Sequence, residues 1–332
     1  MKTGILTFHS AKNYGAVLQC RCLYEVLRSL GHDVSVIDYR PEYLTAPYSL
    51  WKPSFLKHPG SLVKASAKMA GAIRRDKAFD TFEQELNLTS PDNSSFDAIF
   101  YGSDQIWNRN ISRGIDPVFY ASAPFAVNAR NSSYAASDGD ILPSPEEQKI
   151  IRRYLHNFHR IGVREKSMQE RLDAEGIPSV VNLDPVMLAG TDVLDKICAP
   201  VKEKRYVLCY EAVDSPKVRS LADNIAAERG LKVIGIARTP YSKGQNKYGP
   251  AEFISLVKNA GHVITTSFHA TVLSILYGKQ YDFIHTGTSA DGRIDSLLAS
   301  LGDNPAASLE KMRKESLDYI REALKDNDGH EA

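Results

Sequence analysis

Short apolar runs alternate with helix-length amphipathic segments along most of the chain, and this rhythm restricts it to an α/β fold built on parallel strands. Gly4 to Phe8 reads as a buried strand. Tyr14 to Leu30 then places Ala16, Cys20, Leu23, Leu27 and Leu30 at helical spacing, and Gly31 stops the helix before Asp33 to Asp38 alternates as a second strand. A strand, a crossover helix and a further strand form a parallel, right-handed unit, the opening of a Rossmann-like sheet. Strands are expected again at Phe96 to Tyr101 and Asn131 to Ala136, with a helix opened by Ser144-Pro145-Glu146-Glu147 and shorter strands near Ile161 and Val180.

Periodicity lapses from Gly190 to Lys204, around Pro200, which predicts an interdomain linker. A second series follows, with strands at Arg205 to Glu211, Leu231 to Ala237, His262 to Thr266 and Gln280 to His285. Helices near Pro216 to Arg229, Pro250 to Ala260 and Ala270 to Tyr277 separate them, with Gly230, Gly261 and Gly278 as expected C-terminal caps. The last helix is expected from Ser308 to Lys325. The expected architecture is therefore two Rossmann-like, doubly wound domains over residues 1–195 and 200–305, a C-terminal helix and tail over 306–332, and a cleft between the domains. Residues 40–95 carry Pro41, Pro47, Pro53 and Pro59 ahead of a helix from Leu62 to about Glu85, and suggest no role.

Composition narrows the function classes. A chain of 332 residues with 43% hydrophobic and 24% charged residues can bury two cores. Its 41 basic and 40 acidic side chains cancel, so nothing global draws it to nucleic acid or a membrane surface, and any basic site must be local. Cys20, Cys22, Cys198 and Cys209 have neither zinc-site spacing nor the density of a disulfide scaffold, and no other ligand cluster suggests a metal. Cys20 and Cys22 point in different directions on one helix and are expected to pack as small hydrophobes in a reducing cytosol. His9 and Ser10 end the first apolar run too early for a secretory signal, and no stretch approaches the roughly twenty apolar residues of a membrane helix. A cytoplasmic protein is expected, one that meets any lipid-linked substrate from the inner membrane face.

Doubly wound sheets bind ligands beyond the carboxyl ends of their strands, and four polar segments fall there. His9 to Gly15, with Lys12, Asn13 and Tyr14, enters the first helix and can offer backbone amides to an anion or carbonyl, although it fits a plain surface loop equally well. It has too few glycines for a dinucleotide fingerprint. Ser103, Asp104, Gln105, Trp107 and Asn108 gather hydrogen-bonding groups about one aromatic ring, a composition suited to sugars; taken alone, Trp107 reads better as a packing residue. Arg164 at a strand end offers a planar fork to a carboxylate or phosphate, or a surface pair to Glu165. His269 stands where a strand turns into a helix, between Ser267 and Thr271, so its imidazole can act beside an anion held at the helix start.

These segments together resemble the polysaccharide pyruvyl transferase family. The similarity is carried by Gly4-Ile5-Leu6-Thr7-Phe8 with Asn13-Tyr14-Gly15-Ala16-Val17-Leu18-Gln19, by Gly102-Ser103-Asp104-Gln105-Ile106-Trp107-Asn108 and by Tyr134-Ala135-Ala136-Ser137. Val163-Arg164-Glu165-Lys166-Ser167, Asp184-Pro185 and Ser267-Phe268-His269-Ala270-Thr271 complete it. Ala270 stands where members often have glycine, Asp138 where they have an aromatic residue, and Ser267 where some have arginine.

The resemblance implies a GT-B-like fold, phosphoenolpyruvate as donor co-substrate and no cofactor. It also implies an acceptor hexose, often galactose or an N-acetylhexosamine, in a capsule, exopolysaccharide or cell-wall repeat unit. In that frame His269 and Arg164 are the expected catalytic pair, with Ser267, Phe268, Ala270, Thr271 and Arg293 on the donor. His9, Lys12, Asn13, Tyr14, Gly15, Ser103, Asp104, Gln105, Trp107 and Asn108 are expected on the acceptor, with no metal and no nucleic acid partner. Two rivals share the cleft: a glycosyltransferase using a nucleotide-sugar, and a non-catalytic protein closing two lobes around a sugar.

Overall fold

The computed structural model describes residues 1–46, 62–93, 95–237, 241 and 247–325; the prolines at 47, 53 and 59 lie outside them. The N-terminal half runs β1 (Lys2–Leu6), α1 (Tyr14–Ser29), β2 (Asp33–Ile37), α2 (Glu42–Thr45), α3 (Leu62–Gln84), β3 (Leu88–Thr89), β4 (Ala98–Tyr101), α4 (Arg109–Ser112), β5 (Arg130–Ser133), α5 (Pro145–Leu155), β6 (Gly162–Val163), α6 (Lys166–Ala174), β7 (Val180–Val181) and α7 (Pro185–Ile197). The second half runs β8 (Val207–Glu211), α8 (Pro216–Arg229), β9 (Val233–Ala237), α9 (Pro250–Asn259), β10 (His262–Thr265), α10 (Phe268–Leu276), β11 (Tyr281–Phe283), α11 (Ser289–Leu301) and α12 (Pro305–Leu324).

The first sheet has the order β3-β2-β1-β4-β5, and the second β11-β10-β8-β9. Their ladders are all parallel. Single bridges from Ser132 to Arg160 and from Ala136 to Val163 set the parallel β6-β7 pair beside β5. Each sheet starts from an inner strand and winds both ways: β1 lies between β2 and β4, and β8 between β9 and β10. Each domain therefore has a switch point, where connections diverge and the loop ends leave a crevice. The expected doubly wound pair is what the chain forms.

Local chemistry sets the boundaries. Asn13 caps α1 by accepting from the amides of Gly15 and Ala16, Ser144 and Glu147 form a reciprocal capping box on α5, and proline opens α5, α7, α8, α9 and α12. Gly230 ends α8 in the left-handed conformation, φ 61°. Gly261, by contrast, is no such cap, because Ala260 already leaves α9 in extended backbone. The linker is shorter than expected: α7 continues through Gly190, which bends it with φ 70°, to Ile197, since Leu188 and Leu194 bury their side chains. Asn304 caps α12, which begins at Pro305, three residues before the expected start. That helix returns to the N-terminal sheet, where Tyr319 donates to the Ser133 carbonyl at 2.7 Å and Ile320, Ala323 and Leu324 join the core.

Helix α1 is buried on both sides. Cys20, Leu23 and Leu27 pack with Ile5, Val36 and Phe100 of the first sheet, while Tyr14, Leu18 and Cys22 pack with Leu208, Tyr210, Phe253 and Phe268 of the second domain. Cys20 and Cys22 are thus free, buried thiols in different clusters, as their spacing predicts. One helix glues the two sheets together, with their strand ends facing one gap.

Glu211, at the carboxyl end of β8, is wholly enclosed, and neither carboxylate oxygen has a hydrogen-bond partner among the described residues. Burial first and repulsion by Asp214 second push its carboxyl above the ordinary 4.5. The folded chain then holds this proton to higher pH than the unfolded chain does, so stability is lost as pH rises from about 4.5. Glu211→Gln should therefore raise the melting temperature at pH 8 and leave it unchanged at pH 4, measured by thermal unfolding at both.

Candidate active site

The two switch points enclose a cavity of about 260 Å3. Phe8, Asn13, Leu44, Asp104, Gln105 and Ile111 line it from the first domain, and Tyr210, Val213, Thr266, Ser267, Phe268, His269, Thr288 and Arg293 from the second. The wall is pinned by hydrogen bonds between the strand ends: Thr265 donates from its hydroxyl to the Tyr210 carbonyl at 2.7 Å, and the Val213 amide donates to Thr266 Oγ1 at 3.1 Å. Ser267 is the N-cap residue of α10, yet its side chain caps no amide, so the first turn directs its N–H groups and positive dipole end at the cavity.

His269 sits on that first turn, 8% exposed. Its ring is pressed against the start of α1, where a Cβ on Gly15 would overlap Nδ1. On the other side Nε2 lies 3.4 Å from Asp184 Oδ2, an ion-pair distance without hydrogen-bond alignment. Asp184 also caps α7 through Oδ1 and the Val186 amide at 2.9 Å, and faces Arg164 Nη1 at 3.4 Å. Burial opposes its ionisation, but His269, Arg164 and the Val186 amide hold the carboxyl down to about 2 from an ordinary 3.8. A fixed negative charge therefore stands beside the imidazole.

Phe268 lies between two guanidinium groups, with Arg164 and Arg293 each 5.4 Å from its ring centre. Phe268 and Arg293 wall off a second chamber of about 280 Å3, lined by Arg164, Glu165, Asn182 and Asp184 among others. Arg293 lines both spaces, whereas Arg164 lies behind Phe268 and holds Glu165 at 3.1 Å, the pairing that its sequence position allowed. Burial, and then repulsion by Arg164, lower Arg293 to about 10.

Several expected residues lie elsewhere. Trp107 is buried, stacked on Tyr120 with its Nε1 donating to the Phe119 carbonyl, and its edge reaches a different cavity of about 380 Å3 beside Asp138 and Arg171. His9 is enclosed, with Nε2 2.9 Å from Asp38 Oδ1 and 3.7 Å from Glu83 Oε1. Lys12 pairs with Asp80 on α3. Tyr14 packs against Tyr210 and Phe253 and donates to the Tyr248 carbonyl. Ser103 is buried, donating to Gln19; Asn108 donates to Gln105 Oε1 at 2.6 Å and caps α4. Ala270 and Thr271 are fully buried under the first turn of α10. Asp184, Thr266 and Thr288 carry no assigned role in the sequence; Asp184 enters there only within the Asp184-Pro185 segment of the family resemblance. Among the described residues no cluster of three or more His, Cys, Asp or Glu side chains could hold a metal ion.

Two substitutions test this geometry. Alanine favours a helix over glycine by about 1 kcal/mol, but at position 15 the added methyl meets His269, and overpacking costs about 1–3 kcal/mol. Gly15→Ala should therefore lower the denaturant midpoint and shift the His269 ring resonances. Asp184→Asn keeps the cap and volume but takes the carboxylate from His269 and leaves Arg164 with Glu165 alone, at a cost of about 3–5 kcal/mol. Because the Asp184 carboxyl is depressed, its contribution is full above 3.8 and is lost as pH falls through about 2, so urea unfolding of the variant should show a weaker acid dependence there.

UDP-GlcNAc 2-epimerase from Methanocaldococcus jannaschii aligns with TM-score 0.44 and 11% identity over 96% of this chain and 100% of that one. The Neisseria meningitidis UDP-GlcNAc 2-epimerase bound to UDP-GlcNAc aligns with TM-score 0.42 and 13% identity over 98% and 99%. The E. coli heptosyltransferase WaaC with ADP aligns with TM-score 0.42 and 12% identity over 97% and 100%. No curated protein matched the sequence. The model of the polysaccharide pyruvyl transferase family matches residues 13–280, which takes in the segments about Asp104, Arg164 and His269, and the chain belongs to that family.

Proposed function

We propose that the cavity binds phosphoenolpyruvate and moves its pyruvyl group onto two hydroxyls of one sugar, closing a ketal and releasing phosphate. One observation carries this reading: an imidazole, a guanidinium and an uncapped helix start converge on a single cavity between the lobes. A phosphorylated enol acid brings a carboxylate and a phosphate, and Arg293 with the amides of the first turn of α10, at Phe268 and beyond, suits both. His269 donates a proton to the methylene carbon, and Asp184 beside it stabilises the imidazolium that must be present beforehand. Arg164 acts from behind Phe268, holding Asp184 in place. The acceptor sugar approaches from the first domain, where Asn13 and Gln105 offer amides that both donate and accept.

The acceptor is a sugar of a surface polysaccharide or its lipid-linked precursor. No helix among the described residues is long and apolar enough to cross a membrane. In this reading a lipid-linked acceptor is met at the membrane's inner face by a cytoplasmic enzyme, with phosphoenolpyruvate as co-substrate and no cofactor or metal.

Purified protein given phosphoenolpyruvate and a galactose-containing lipid-linked oligosaccharide should release phosphate and add a pyruvyl ketal to the glycan, read by mass spectrometry. His269→Gln should slow phosphate release by about 100-fold or more; full retention removes His269 as the acid. Phosphoenolpyruvate should also raise the melting temperature of the wild type by binding the folded state alone. Protection by UDP, with none by phosphoenolpyruvate, would point to nucleotide-sugar transfer instead.

A further inference from the structure

Each of the two new carbon–oxygen bonds of the ketal needs a proton removed from the attacking hydroxyl, and the first also needs one delivered to the enol carbon. We propose that Asp104 is the base that takes the hydroxyl proton, an inference that rests on the pyruvyl-transfer reading above. Among the described residues lining the cavity, only His269 and Asp104 carry a side chain able to accept a proton near neutral pH; the others are amides, hydroxyls, a guanidinium and apolar groups. A histidine that is giving its proton to carbon cannot take another in the same step. The remaining carboxylate must do so.

Asp104 is built to stay in place. It follows β4 with φ 85°, a left-handed conformation that a non-glycine residue adopts only when its surroundings hold it. Its carbonyl accepts from the Ser137 amide at 3.1 Å. Behind it a buried relay runs from Ser103, which donates to Gln19 Oε1 at 2.9 Å, to Thr7, whose Oγ1 accepts from Gln19 Nε2 at 2.9 Å. Oδ1 accepts from the Gln105 amide at 2.8 Å, and Oδ2 makes no hydrogen bond among the described residues. The carboxylate belongs to the first lobe, next to Gln105 on the acceptor side, while His269 and Arg293 belong to the second. Base and acid thus flank the double bond from opposite lobes.

The protons balance. In the first step the sugar oxygen bonds to C2, its proton passes to Asp104, and the C2–C3 π pair takes a proton from the His269 imidazolium. In the second step the neighbouring hydroxyl bonds to C2 and gives its proton to the now neutral His269. The C2–O bond to phosphorus breaks with its electron pair on phosphate, which leaves with the proton held by Asp104. Both side chains return to their starting forms.

Asp104→Asn is the test, because asparagine tolerates a left-handed backbone and keeps Oδ1 for the Gln105 amide. With phosphoenolpyruvate and the same lipid-linked oligosaccharide, kcat should fall about 100-fold or more, with the KM for phosphoenolpyruvate and the melting temperature unchanged. The acidic limb of the kcat/KM profile, set by the base that must be ionised, should vanish in Asp104→Asn and return with part of the rate in Asp104→Glu. A wild-type kcat in Asp104→Asn, or a slow variant that keeps the acidic limb, overturns the assignment and leaves pyruvyl transfer standing. If the wild type releases no phosphate with any acceptor, the transfer reading fails and the base falls with it.

Discussion

Asp184 holds together three groups that would otherwise drift or repel: the first turn of α7, the guanidinium of Arg164 and the imidazole of His269. The carboxylate is almost fully desolvated, and a lone charge there would cost several kcal/mol, so ionisation depends on both cations being present. The dependence also runs the other way. Arg164 is enclosed, and its neighbours across Phe268 include a second guanidinium on Arg293, so two positive charges share one aromatic ring only while Asp184 and Glu165 offset them. Because the same carboxylate caps α7, the helix that leads from one domain to the next, the position of the second lobe and the state of its histidine answer to a single side chain.

The close approach of α1 to His269 is the geometric counterpart of that charge cluster. Gly15 has no side chain to separate them, and the rest of α1 fills the space between the two sheets with apolar groups on both faces. The consequence is electrostatic as well as steric. The starts of α1 and α10 converge on one cavity, and the partial positive charge at each helix start adds to the full charge of Arg293. In a chain whose total charge is close to zero, a positive field in this cavity is thus made locally, from backbone dipoles and one guanidinium.

What sequence reading could reach follows from how far apart the cooperating residues are. Strands and helices come from local periodicity, and a cap such as Ser144 comes from contacts three residues long, so these were legible; Asn13 acts through equally local contacts, yet its place in a polar loop read as a ligand contact. The divergence of Cys20 and Cys22 is a property of helix geometry alone. Asp184 was not legible as a partner of His269, because its role arises only when residues 164, 184 and 269 are folded together. Trp107 packs as its ring alone suggests, stacked on Tyr120, whereas His9 could not be placed from sequence because an imidazole suits a site and a core equally, and its contact with Asp38 forms only in the fold. Helix α11 gave no strong signal, since Thr288 caps nothing and Asp291 and Gly292 open it, yet it delivers Arg293.

Two of the three positions singled out in the sequence, Ser267 and Asp138, have different surroundings. Ser267 brings no charge to the start of α10, and Arg293 reaches the same cavity from α11. Asp138 lines a different cavity. Its carboxylate is bound by Arg171 at 2.6 Å and accepts from the Asp140 amide at 2.9 Å, facing away from His269 into the cavity beside Trp107. The turn it anchors passes close over the polar tips of Gln105 and Asn108, because Gly139 has no side chain there. Asp138 therefore bears on the first-domain wall of the His269 cavity through the set of Gln105, while α10 and α11 supply the second-domain wall.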